Sequence, residues 1–492
     1  MQPITALLQG PVTASRLAQM RALYDTGLVA GVVLLLPPAE VLDHIPVPYS
    51  AINSAHPRSS SILEGLLRAL PTPWLVEVEE GTEVIPGALA RMMEVARSAG
   101  ASLVYGDYQD EGPAGTRPHP LADYQEGSLG EGFDMGPLRM WSVATARDAV
   151  QRFGPPASNL LWTAWYDLRL KAAAEAPVVH IPEVLATLRQ DDQRATGAKV
   201  FDYLTAAKLL QVEAEQVVTS HLEQIGALVE GPPLPFVSLH PFPVEASVII
   251  PVRNREQTIL DAARSALDQV TDFPFNVVVI DNHSTDRTGE LLLALAEEDP
   301  RLVYLRPERR DLGIGGCWNE GVRDPRTGRY AVQLDSDDLY AAPDVLQRIV
   351  DALRDDQCGM VIGSYETVNF DLQPIAPGLI DHREWTDKNG PNNALRVNGF
   401  GAPRAFATEL VRTHPFPNVS YGEDYAVALR ISREYRVGRI YQSLYHCRRW
   451  EDNTDADLAP EVVARHQLFK DRIRSLELSA RRRSNPQDGG VA

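Results

Sequence analysis

Ala246-Ser-Val-Ile-Ile-Pro251, a helical pattern over 256–270, and Val277-Val-Val-Ile280 running into Asp281-Asn282-His283-Ser284-Thr285-Asp286 form the stretch that decides the fold. Short apolar runs alternate with a 3.6-residue apolar pattern, then come Leu302-Val-Tyr-Leu305, a glycine-rich stretch and Tyr330-Ala-Val-Gln-Leu334. Strands alternating with helices predict an α/β fold with a mainly parallel, Rossmann-type sheet covered on both faces. A second such domain is expected from about Gly27 to Gln190. There Leu89, Arg91, Arg97, Gly106 and Tyr108 fall on Leu346, Arg348, Arg354, Gly363 and Tyr365 at one constant spacing, which Pro86 and Pro343 also obey. That register points to an internal duplication. The expected organisation is 1–195, a first α/β domain; 196–244, a helical linker and Pro-rich connection; 245–458, a second α/β domain; and 459–492, a helical tail with a disordered end.

The chain's 492 residues hold 47 Lys+Arg against 66 Asp+Glu, a formal charge of −19, which argues against nucleic acid as a partner. Three cysteines, Cys317, Cys358 and Cys447, make no disulfide framework. The strongest apolar run, Val32–Leu36, is far too short to span a bilayer, and the first residues lack a signal-peptide pattern, so a cytoplasmic protein is expected.

In an open parallel sheet ligands bind beyond the carboxyl ends of the strands. Three strands end in polar residues there: Pro251-Val-Arg253-Asn254, Asp281-Asn282, and Asp335-Ser336-Asp337-Asp338. Carboxylates gathered at one edge repel one another unless a cation neutralises them, and oxygen ligands suit Mg²⁺ or Mn²⁺ carrying a diphosphate. Helix capping by Asp337 or Asp338 is the plainer reading. Downstream, Gly422-Glu423-Asp424 opens an apolar-periodic helix; a carboxylate there serves either the helix dipole or as a general base. His446 ends a strand-like run, followed by Arg448 and Arg449, which are either surface charge or a grip for phosphate oxygens.

Taken in order, Ser247-Val-Ile-Ile-Pro-Val-Arg-Asn254, Val278-Val-Ile-Asp-Asn-His-Ser-Thr-Asp286, Gly315-Gly-Cys-Trp-Asn-Glu-Gly321, Tyr330 to Asp338 and Gly422-Glu-Asp424 resemble the family-2 glycosyltransferases of GT-A fold. The resemblance implies two GT-A-like domains in tandem, the first a degenerate, non-catalytic copy, and a metal-dependent, inverting sugar transfer. The donor would be a nucleotide-diphospho-sugar, UDP-sugar favoured, and the acceptor a glycan, lipid-linked or small-molecule hydroxyl. Pro251, Arg253, Asn254, Asp281, Asn282, Asn319, Asp335 and Ser336 would surround the donor. Asp337, with Asp335, would hold a divalent cation, Mn²⁺ or Mg²⁺; His446 would be a further metal ligand or diphosphate contact. Asp424 would be the base, with Glu423 beside it. Arg448 and Arg449 would meet phosphate or acceptor, and Phe400 and Gly401 would form an acceptor-side wall. Two departures stand out: Asn282 replaces a common aspartate, and Cys317-Trp318-Asn319 lacks an arginine that Arg306, Arg309 or Arg310 would have to replace.

In the first half the Asp-x-Asp has become Glu79-Glu80-Gly81, Leu161-Trp-Thr-Ala-Trp165 stands where Gly-Glu-Asp would be, and nothing matches His446. That half would pack against the active one, hold an acceptor, or support a homo-oligomer. The basic tail from Phe469 to Arg483 reads either as a peripheral contact with the inner membrane face or as a solvated helix. The competing readings are a sugar nucleotidyltransferase and an inactive carbohydrate-binding scaffold.

Overall fold

Strand Ala246–Val252 sits between Phe275–Asp281 and Tyr330–Gln333, parallel to both, with Val248 opposite Val277 and Val332. Its neighbours are apolar on both faces because helices cover both: Val277, Val278, Val279 and Ile280 are completely buried. Helix Val345–Asp355 shows the matching pattern, burying Leu346, Ile349, Val350 and Leu353 at the spacing of one helical face.

The computed structural model describes residues 2–38, 40, 45, 47–113, 115–189, 208–383, 389–450 and 458–485. These fall into two α/β units, one of residues up to 189 with 208–228 and 458–485, the other of 229–450. Each carries a nine-stranded sheet. In the second the strand order is Leu302–Leu305, Phe275–Asp281, Ala246–Val252, Tyr330–Gln333, Arg404–Ala407, Met360–Val368, Val437–Arg448, Leu339–Tyr340, with Pro374–Ile380 beside Met360–Val368. In the first it is Tyr49–Asn53, Val29–Leu36, Ile4–Gln9, Trp74–Val78, Leu138–Ser142, Leu103–Gly112, Val178–Arg189, Thr82–Val84, with Gly115–His119 beside Leu103–Gly112. The two orders are identical strand for strand, so the sequence repeat is a repeat of topology. Each sheet is parallel through its first four strands and becomes mixed where Arg404–Ala407 or Leu138–Ser142 enters antiparallel.

The boundaries differ from those expected at the linker and tail. Helix Lys208–Gln224 belongs to the first unit, where Glu213 accepts hydrogen bonds from the backbone of Leu161 and Trp162. The Pro-rich stretch is strapped to the second unit: Leu234 N–H donates to the Glu434 carbonyl and Phe236 N–H to that of Gln357. Helix Pro460–Ser484 packs into the first unit, burying Asp471, Arg474 and Arg481, with Asp471 accepting from Ser128 at 2.8 Å. Its charges are therefore partly internal, while Arg465, Arg472 and Arg483 are exposed. The expected disordered end lies, beyond 485, outside the described residues. Among those residues no helix is long and apolar enough to cross a membrane, and the three cysteines are free thiols.

Candidate active site

Strand Tyr330–Gln333 delivers its acidic loop to the sheet edge, where each carboxylate is held differently. The Asp335 oxygens accept from the Gln333 amide at 3.0 and 3.2 Å, and its N–H donates to the Tyr445 hydroxyl at 2.9 Å. Burial lifts the Asp335 carboxyl above its ordinary range against the pull of Gln333 and Arg404. Asp337 Oδ2 accepts from the Trp450 indole at 3.3 Å and lies 3.7 Å from Arg255 Nε, whose guanidinium stacks 5.6 Å over Trp450. Asp338 is buried; burial, then Asp335 and Asp337, raise its carboxyl well above the usual range.

A second acidic pair comes from helix Glu423–Ser432. Gly422, at φ 78°, takes the left-handed turn that starts this helix, a conformation closed to most side chains. Asp424 Oδ2 then meets Arg404 Nη2 at 2.7 Å, while Arg404 Nη1 donates to the carbonyls of Phe400 at 2.6 Å and Gly401 at 3.0 Å. Burial opposes the Arg404 charge, but Asp424, Asp335 and Glu423 together outweigh it and raise its pKa. Glu423 is 8% exposed, its Oε2 has no hydrogen-bond partner among the described residues, and burial followed by Asp424 pushes its carboxyl up to about 8. Asp335, Glu423 and Asp424, far apart in sequence, thus surround one guanidinium.

The remaining residues singled out in the sequence are distributed unevenly. Pro251 is half-buried beside Ile280, Arg253 is exposed, and Ser336 accepts from Thr258 through its carbonyl at 2.9 Å. Asn254, at φ 51°, spends its Oδ1 on Thr285 N–H at 2.8 Å. Asn282 donates through Nδ2 to the Leu312 carbonyl at 2.8 Å. His446 lies opposite Leu339 and Glu366, its Nδ1 buried with no partner among the described residues. The Arg449 N–H donates to the Val368 carbonyl at 2.8 Å.

Other residues singled out in the sequence are engaged by the fold itself. Asp281 is wholly buried, and its oxygens accept from Ser284 N–H at 2.8 Å and the Tyr304 hydroxyl at 2.7 Å, so it shapes the loop behind the strand end. Asn319 clips its helix to the chain at Phe416, donating to that carbonyl at 2.8 Å and accepting from that N–H at 3.0 Å. Arg448 is 2% exposed: its N–H donates to Asp338, its Nε to the Asp337 carbonyl, and its Nη1 lies 3.1 Å from Asp261. It braces the acidic loop from beneath. Phe400 is buried against Tyr425, with 5.6 Å between rings, and offers no open stacking face; a Cβ on Gly401 would lie 2.6 Å from the His382 ring. Sequence reading missed Arg404, Arg255, Gln333, Tyr445 and Trp450 as members of the site; a register match of Pro403-Arg404 with Leu138-Arg139 was the one available signal for Arg404.

In the first unit, Arg139 holds the sheet position of Arg404, opposite Glu77, as Arg404 enters beside its own central strand. Ala164 and Trp165 open helix Ala164–Glu175 where Glu423 and Asp424 open theirs. Gln109 pairs with Thr187 as Glu366 pairs with His446. The acidic pair and the histidine are gone, while an arginine, Arg139, remains, 3.3 Å from Glu79.

Residues 247–407 match the family model of Glycosyl transferase family 2. An uncharacterized glycosyltransferase of Rickettsia bellii is 27% identical over 215 residues, 43% of this chain and 29% of that protein. The succinoglycan biosynthesis protein ExoO of Rhizobium meliloti is 33% identical over 129 residues, 26% of this chain and 35% of that protein. The chain thus spans less than half the length of the curated relatives it matches. The solved structure of S. aureus TarS 1-349 in complex with UDP aligns at 19% identity over 47% of this chain and 65% of that chain, with a TM-score of 0.36.

Proposed function

We propose, from the premise that residues 247–407 are a family-2 glycosyltransferase segment, that the second unit moves a sugar from a nucleotide-diphospho-sugar to an acceptor hydroxyl by inverting displacement. The observation that carries this reading is the convergence of Asp335, Glu423 and Asp424 on Arg404. Asp424 is the base: its 2.7 Å contact with Arg404 fixes the carboxylate in place, and in this role it takes the acceptor proton as the hydroxyl attacks. Glu423 stands next to it, and its raised carboxyl is suited to holding a proton near neutral pH.

The fit to a divalent cation is supported by chemical type. Asp335 and Asp337 are oxygen donors whose neighbours Asp338 and Glu423 are lifted by burial and then by nearby carboxylates, and the Glu423 Oε2 is an orphaned buried acceptor. Among the described residues no three metal-binding side chains already converge as a ligand set, so Asp335 and Asp337 would hold the ion together with donor oxygens, and His446 is the candidate third side chain. When bound, Mn²⁺ or Mg²⁺ supplies positive charge to the diphosphate leaving group. A uracil preference is supported by Asn282, whose amide is fixed through Nδ2, so that Oδ1 is the atom left to accept from a pyrimidine imide. The first unit, with Gly81 at the position of Asp337 and Ala164-Trp165 at that of Glu423-Asp424, takes no part in the chemistry.

The test is a donor screen. Purified protein is incubated with Mn²⁺ and a panel of UDP-, GDP- and dTDP-sugars, and nucleotide release is measured with EDTA and Asp337→Ala as controls. The reading requires release from one donor class that both controls abolish; release indifferent to both would discard the cation and Asp337 together.

A further inference from the structure

The first unit retains a cavity where the second has its acidic cluster. It measures about 170 Å³ and is walled by Arg58, Glu77, Arg139, Trp141, Trp162 and Trp165. Three of these stand at positions matched to the other site: Arg139 to Arg404, Trp165 to Asp424, and Glu77 to Gln333 on the central strand. At the position of Asp424 the first unit thus carries an indole.

Two buried groups in the wall are left incomplete. Trp165 is 4% exposed, yet its Nε1 has no hydrogen-bond partner among the described residues. Arg169, also lining the cavity, is 2% exposed; it donates through Nη2 to the Gly130 carbonyl at 2.5 Å, and its Nε has no partner. No carboxylate forms an ion pair with Arg169 among the described residues, whereas Glu77 is already shared by Arg58 at 3.6 Å, Arg139 at 3.7 Å and the Trp141 indole at 2.6 Å. The guanidinium of Arg169 lies 5.9, 5.7 and 5.1 Å from the rings of Tyr124, Phe133 and Tyr166, which offset its charge less than a carboxylate would, and an anion entering from the cavity would add to them. Trp162, 42% exposed, offers an indole face at the rim for the apolar side of a ring. The volume is below the roughly 300 Å³ at which drug-sized pockets begin, which suits a ligand as small as one sugar ring.

We propose that this cavity is a non-catalytic binding site for a single acidic sugar residue of the uronate class. The ring lies against the tryptophans, and its carboxylate is taken by the arginines. This goes beyond sugar transfer in the second unit and does not rest on it.

The experiment titrates the full chain with methyl glucuronide and, separately, methyl glucoside, following intrinsic tryptophan emission and calorimetric heat. The expected result is saturable uronide binding at least tenfold tighter than glucoside binding. Trp162→Ala and Arg58→Ala, both at partly exposed positions, should each weaken the uronide roughly tenfold or more, the equivalent of one charge-assisted hydrogen bond or ring contact, with thermal unfolding showing that the variants are folded. Asp337→Ala should bind the uronide as the unaltered chain does. Glucoside binding as tight as uronide binding, an absence of uronide binding at millimolar concentration, or uronide binding lost in Asp337→Ala but intact in both cavity variants would each overturn the proposal.

Discussion

Arg404 Nη2 stands 2.7 Å from Asp424 Oδ2, and the same guanidinium is anchored by the carbonyls of Phe400 and Gly401. The pair is partly enclosed, with side-chain exposures of 14% and 25%, so Arg404 is a positioning residue whose orientation is set by backbone atoms before substrate arrives. Asp424→Asn should lower kcat by roughly 10²–10⁴-fold, the range for loss of a general base, with donor KM little changed. Arg404→Ala should lower it too, and the double variant should be no worse than Asp424→Asn alone, because both changes remove one interaction. Steady-state rates of the three variants test this; additive losses would show that the two residues act separately.

Glu423 adds a pH dependence that can be read without substrate. Its folded pKa of about 8 lies above its ordinary 4.5, so the protonated side chain favours the folded state. That contribution is complete below pH 4.5 and is lost as the pH rises through 8. In chelator-treated protein, Tm should therefore fall across this interval, and Glu423→Gln should flatten the fall. Above pH 8 the variant should melt higher by on the order of 5 °C. A variant that tracks the unaltered protein at every pH would place the titration elsewhere.

Arg448 separates a brace from a ligand contact. Removing its side chain leaves Asp261 without its partner and frees the Asp337 carbonyl, while the backbone N–H at 448 still donates to Asp338. Asp261 is 60% exposed and can be resolvated, so the cost is that of the buried side chain's packing on Phe370 and of the orphaned Asp337 carbonyl, about 1–3 kcal/mol. Arg448→Ala should therefore show a large drop in Tm by calorimetry. An exposed phosphate-gripping arginine would leave Tm almost unmoved, within about 0.5 kcal/mol of stability.

The difference between Arg448 and Arg449 also shows where sequence reading stops. The strand pattern of Val277 to Ile280 was legible because burial on both faces demands an unbroken apolar run, and the duplication was legible because Leu89 and Leu346 keep one spacing with their neighbours. Both are local regularities. Arg448 and Arg449 are adjacent and of one residue type, and it is the acidic loop, with Phe370 and Asp261, that buries the first. Likewise Asp281 carries the pattern of a ligand-facing carboxylate, yet Tyr304, 23 positions on, occupies its outer oxygen. Arg404 escaped notice because its partners lie in three separate segments that meet only in the fold. The tail helix looked solvent-facing because its charges outnumber its apolar residues; Asp471 and Arg474 satisfy each other at 2.6 Å inside the first unit.

Gly315 ties the second acidic pair to the sheet through a close approach. A Cβ at this position would lie 2.0 Å from the Pro417 carbonyl oxygen and 2.8 Å from the Glu423 Cβ. The backbone at Pro417 has no flexible end to yield, so Gly315→Ala must push the segment leading into Glu423 and Asp424 outward. Overpacking of this kind costs about 1–3 kcal/mol. A displacement of the base by a fraction of an ångström to an ångström should lower kcat by up to roughly 10²-fold. Gly399→Ala is the control: nothing lies within 4 Å of its added carbon, and activity and Tm should both hold. Equal behaviour of the two alanine variants in kinetics and melting would show that the approach at Gly315 does not position the pair.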